Sequence, residues 1–314
     1  MALRELLRTL VAGIAWLVLA ALLALGSAGV AAALNHTPGT ASRLELTYAA
    51  DTAAKPAIDG AAAQLAGLAN AVDQLGVAGR DALTSLVNGD TPALQAALDA
   101  GKARLDSVNA TSDALAGALA AVPYVTGHSE LYLSTGLAAR YDRLVKARTL
   151  VSGLADNWTV FSEQALDASA VPALLIGHDT NTAKAAREGS ASHYAQALKL
   201  LDAADASMAQ ASALRDRLAK KADVTTLTAW LNANAAYDAA LRNLYATLRD
   251  AKGHVTSAVR KAFAAEQVAR QGLPKDTSGI VVIMNDIARG GLNQAVIAID
   301  TTKGLISSVL GQGQ

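Results

Sequence analysis

The chain has 314 residues, with 27 Lys+Arg against 27 Asp+Glu and no cysteine. Zero net charge leaves no basic surplus to neutralise a phosphate backbone, which argues against nucleic acid as a partner. The lack of Cys excludes disulfides, thiolate metal sites and cysteine nucleophiles, while 73 alanines and 52% apolar residues favour helix over strand and order over disorder.

Residues 1–8 carry Arg4 and Arg8, and Thr9 to Leu34 holds no charged side chain. About 20 apolar residues cross a bilayer. Residues 9–34 are therefore predicted to form a single transmembrane helix, with the arginines keeping the N-terminus in the cytoplasm. The small residues Ser27 to Ala33 also offer signal-peptide cleavage sites. Residues 35–314 are exported on either reading, anchored on the first and secreted on the second.

Residues 35–91 read as a linker and a helix broken at Pro56. Thr91-Pro92 is a good helix start. From there Leu94, Leu98, Gly101, Leu105, Val108, Ser112, Leu115, Leu119 and Val122 recur at steps of four and three, the spacing of a coiled-coil-like seam. Pro123 ends this helix. A partner over 129–168 carries Leu137, Tyr141, Leu144, Val151, Leu154, Trp158 and Phe161 on one stripe, so 92–168 is predicted to be one helical hairpin. Residues 169–181, with Pro172 and Gly177, read as a linker.

A second hairpin is expected over 182–271. Its first helix, 182–220, has the seam Ala197, Leu201, Ala204, Met208, Ala211, Leu214 and Leu218. Its second, 224–271, has Leu227, Trp230, Asn234, Tyr237, Leu241, Leu244, Leu248, Ala251 and Val255. Residues 272–314 form a last helical segment packed on the bundle, with a break at Gly290-Gly291. The fold class is all-α: a membrane helix followed by an elongated antiparallel bundle of five or six long helices.

No nucleophile–base spacing, H-E-x-x-H, P-loop or G-x-S-x-G motif occurs. No catalytic residue, metal ligand or cofactor is assigned, and the protein is expected not to be an enzyme. The five histidines read as solvated or capping residues. The polar and aromatic positions on the two hairpins, Arg140, Tyr141, Arg143, Trp158, Trp230, Asn234, Tyr237 and Arg242, are where a pocket between helices would lie. Arg140, Arg143, Lys146 and Arg148 form a basic cluster suited to an anionic partner such as lipid headgroups or a cell-wall polymer.

The leading functional expectation is a non-enzymatic, membrane-anchored extracytoplasmic bundle. It would serve as an envelope scaffold or interaction module, meeting the bilayer through residues 9–34 and pairing with itself or with an envelope protein. The alternative is an extracytoplasmic domain that senses a small ligand and works with a partner subunit. The expected architecture resembles the extracellular bundles of chemoreceptors and sensor kinases, in architecture alone.

Overall fold

A computed structural model describes residues 41–125, 132–274 and 279–311, and the chain is all-helical across them. The helices are α1 (Ala41–Val87), α2 (Thr91–Ala120), α3 (Thr135–Thr149), α4 (Leu154–Ser190), α5 (Tyr194–Leu218), α6 (Thr225–Asp250), α7 (Ser257–Gln271), α8 (Gly279–Ile287) and α9 (Asn293–Gly311), with a π-helical turn, Ala288–Leu292, between the last two. The proposed membrane helix, residues 9–34, lies outside the described residues. Among those that are described, no helix is long and apolar enough to cross a membrane.

The helix breaks differ from those the sequence predicts. Pro56 and Pro172 sit inside continuous helices, so neither the broken helix over 35–91 nor the linker over 169–181 forms. An internal Pro costs a helix about 3 kcal/mol. Around Pro172, however, Ala168, Val171 and Leu175 are fully buried, and that packing holds the helix together. Interruptions that the sequence does not predict fall at residues 150–153, 191–193 and 251–256. Accordingly 129–168 is not one helix, α5 starts only at Tyr194, and the stretch 224–271 divides into α6 and α7. The last of these breaks is closed by Gly253 at φ +78°, whose N–H bonds the Leu248 carbonyl at 2.9 Å. This left-handed geometry terminates helices.

The described residues group into two compact units. The first takes residues up to Ala66, Asp113–Thr149 and those from Val309; the second takes Gly67–Ser112 and Leu150–Ser308. In the first, Arg140 of α3 pairs with Asp59 of α1, which also pairs with Lys55 at 2.7 Å. The Ser134 N–H donates to Asp51 at 2.9 Å.

In the second unit α4 packs on α5, α5 on α6, and α6 on α7. Cross-helix contacts set the directions. Asp167 meets Arg217 while Gly177 lies against Ser207, so α4 and α5 are antiparallel. His178 meets Asp238 and Gly189 lies against Tyr245, so α4 and α6 run parallel. Trp158 fills the space that two glycines leave. A Cβ on Gly101 would fall 1.8 Å from its ring, and one on Gly79 would fall 3.7 Å away.

The α5 seam predicted from the sequence, Ala197 through Leu218, is buried at every position. The break at Gly290-Gly291 is present as a kink, with Gly290 at ψ −117°. There the chain presses on the 221–223 turn so closely that a Cβ on Gly291 would lie 1.5 Å from the Lys221 carbonyl oxygen.

Candidate ligand cavity and buried polar core

Two polar features sit inside the second unit. The first is a charged pair in its core. His178 and Thr182 lie one turn apart on the buried face of α4, and Asp238 faces them from α6. His178 is 1% exposed and Asp238 2%. The histidine's Nε2 is 2.7 Å from Asp238 and its Nδ1 is 3.0 Å from Asp179. Thr182 also donates to Asp238, at 3.3 Å. Burial alone pulls an imidazole's pKa down, but hydrogen bonds to two carboxylates outweigh it and raise that of His178 to about 9. The ring is therefore an imidazolium donating from both nitrogens. Trp230 packs edge-on to it, with centroids 5.3 Å apart. The expectation of five solvated or capping histidines is corrected here: the carboxylates on both sides let a charged ring be buried.

The second feature is a cavity of about 400 Å³ between the C-terminal ends of α4 and α6 and the length of α7. Thr256 caps α7, its hydroxyl accepting from the Val259 N–H at 3.2 Å. From that start Val259, Phe263, Glu266 and Arg270 follow at steps of four, three and four and line the cavity. The Tyr245 ring forms part of its wall. That ring packs so closely on Gly189 that a Cβ there would sit 2.3 Å from it. Burial pushes the Tyr245 phenol up to about 12.

Glu266 is 1% exposed. Its Oε1 accepts from Arg270 Nε at 2.8 Å and Nη2 at 2.6 Å. The Tyr237 hydroxyl reaches the same pair, and burial first of all raises its pKa. Glu266 Oε2 has no hydrogen-bond partner among the described residues. An orphaned buried carboxylate oxygen is rare, because desolvating it without a donor is costly.

The sequence-predicted positions fall in both units. Arg140, Tyr141 and Arg143 are half-buried on α3 in the first. Arg140 is engaged by Asp59, and Arg143 lines a separate cavity of about 300 Å³ with Ala62, Ala66, Arg140, Leu144, Val309 and Leu310. Within the basic cluster, Lys146 is exposed and Arg148 half-buried. Trp158, Trp230, Asn234, Tyr237 and Arg242 lie in the second unit. Trp158 packs against Phe161 in the core, the rings tilted at 42°. Trp230 covers His178, and Asn234 is buried but donates to the Trp230 carbonyl of its own helix at 2.9 Å. Arg242 is taken up by Asp202 and Asp205 of α5. Of this set, Tyr237 comes beside the Glu266–Arg270 pair. The sequence reading missed Glu266, although its spacing to Val259, Phe263 and Arg270 was a usable signal.

The described residues are all-helical, as in a helical bundle, and the second unit carries a cavity open to solvent beside Val255 and Phe263. No protein-family model, curated protein or solved structure matches the chain.

Proposed function

We propose that the protein is a membrane-anchored, extracytoplasmic helical module that binds a small ligand in the cavity beside Glu266. The observation that carries this reading is the cavity itself. It is about 400 Å³, within the range of small-molecule sites, and largely apolar with a few convergent polar groups. The uncharged run from Thr9 to Leu34 supports the anchor and the export of everything after it. Binding without turnover fits the chemistry of the lining. Its carboxylate is already held by Arg270. A bundle that closes around a ligand would pass the signal to a partner subunit across the membrane.

The test is a thermal-shift screen of the full chain in lipid nanodiscs against small amphiphiles, organic acids, amines and sugars. A ligand at one hundred times its Kd adds about 2.7 kcal/mol, which raises Tm by about 5–10 °C for a unit of this size. No shift with any class would refute ligand binding. Release of the protein from membranes only after residues 1–34 are removed would support the anchor.

A further inference from the structure

We infer that the ligand of the Glu266 cavity is a small, uncharged, apolar molecule carrying an N–H or O–H donor, which it presents to Glu266 Oε2. This rests on the cavity being a ligand site, and it names the ligand's chemistry.

Three features carry it. The first is the orphaned acceptor. Glu266 is 1% exposed and lines the cavity, and its Oε2 lacks a donor among the described residues while Oε1 is held twice by Arg270. A buried carboxylate oxygen calls for a donor, and a ligand entering the cavity can bring one. The second is charge. The carboxylate is neutralised by Arg270, and Arg260 also lines the cavity. The lining therefore carries two guanidiniums against one carboxylate. A cationic ligand gains little from a carboxylate already paired with Arg270, and an anionic one would be repelled by the oxygen it has to approach, whereas a neutral donor meets neither cost. The third is the wall. Leu241, Leu244, Leu248, Val259 and the Tyr245 ring line the cavity, and among its lining residues Val255 is 72% and Phe263 50% exposed. An aromatic or branched body would cover these side chains and remove them from water.

The probes are 4-ethylphenol, 4-ethylanisole, which lacks the donor, and 4-ethylbenzylamine, which carries its donor as a cation. Each is titrated into the full chain in nanodiscs by ligand-observed NMR, with empty nanodiscs as the blank. The phenol is expected to bind at least about tenfold more tightly than either of the others, the discrimination of one hydrogen bond to a charged acceptor. In Glu266→Gln that preference over the anisole is expected to fall to about threefold or less. Should E266Q fail to fold, Val255→Ser serves instead: it touches only the exposed rim and is expected to weaken phenol and anisole alike, leaving their ratio intact. Equal binding of phenol and anisole to the natural chain would mean that Oε2 is satisfied by water or by the neighbouring Tyr237 hydroxyl, and would overturn the inference while leaving the cavity a binding site. Tightest binding by the amine would overturn it too. If none of the three binds, the inference falls. The broader thermal-shift screen then decides separately whether the cavity binds anything.

Discussion

The buried imidazolium makes stability depend on pH in a window where few other groups titrate. The free side chain titrates near 6.5, and in the folded chain the neighbouring Asp179 and Asp238 raise His178 to about 9. Below pH 6.5 the ring is charged in both states, so the contribution is fully present. Between 6.5 and 9 the unfolded chain gives up this proton while the folded chain keeps it, so stability falls as pH rises. Above 9 the contribution is gone. At about 1.4 kcal/mol per pH unit, the loss across the window is about 3 kcal/mol. His178 is 1% exposed, but Asp179, which supplies part of the shift, is 56% exposed, so solvent screens its share and about 3 kcal/mol is the upper end.

Such a loss is a sizeable part of the 5–15 kcal/mol that holds a domain together, and corresponds to a fall in Tm of about 6–12 °C. Urea unfolding of the full chain at pH 6, 7.5, 8.5 and 9.5 measures it, alongside the His178 ring resonances followed by NMR. The series stops at 9.5 because tyrosines ionise in the unfolded chain near 10, whereas burial holds the Tyr245 phenol at about 12 when folded. A flat stability curve from pH 6 to 9.5, or a His178 midpoint at or below 6.5, would refute the buried ion pair.

Two further outcomes follow from backbone and cap geometry. Gly101→Ala places a methyl group 1.8 Å from the ring of the buried Trp158 and should destabilise by about 1–3 kcal/mol through overpacking. Gly117→Ala meets nothing within 4 Å and should stabilise by about 0.5–1 kcal/mol through helix propensity. Tm measurements on the two variants must therefore move in opposite directions. Thr256→Ala removes the cap of α7, whose hydroxyl holds the Val259 N–H. It should cost about 1 kcal/mol, with hydrogen-exchange protection lost first in the opening turn of α7.

The seams were the legible part of this fold. On α2 and just past its end, the four-and-three spacing picks out a seam from Leu94 to Val122 that is buried at every position but Ser112, which is half-buried. On α6 it picks out Leu227 through Leu244. Periodicity reads well because each of these helices has one buried face. It read the breaks badly because the stripe on α6 carries on in register through Leu248, Ala251 and Val255, past the point where the chain leaves the helix. Val255 ends up 72% exposed. Gly253 was the available signal there, outweighed by a stripe that continued. At Ser192, with φ +66°, a non-glycine adopts the left-handed conformation and no residue type announces it. The prolines erred the other way, since a local penalty was overruled by burial that only the folded chain supplies. Candidate site residues chosen by type alone mixed core, surface and cavity positions. Whether a Trp or Arg on a stripe meets a cavity depends on its neighbours across the helix interface.

The His178–Asp238 pair also bears on how the cavity comes to exist. The seams of α4 and α5 are rich in Ala, and small side chains offer little to resist one helix sliding past another. A slip of one heptad would displace α4 by about 10 Å. It would take His178 away from Asp238 and leave two buried charges apart, at a cost of several kcal/mol each. The ion pair is therefore expected to fix the register of the parallel helices α4 and α6. The same register sets Tyr245 on Gly189, where its ring walls the cavity. Stability and register can be separated. His178→Leu alone should cost about 3–5 kcal/mol by stranding Asp238, whereas the double variant H178L/D238L should recover most of that loss, since apolar replacement of a buried pair is often neutral or better. If the pair sets register, the double variant will be stable yet show broadened Tyr245 resonances and a Gly189–Tyr245 contact weakened in NOE spectra. Sharp, unchanged signals in that variant would show that the leucines of the seam hold the register unaided.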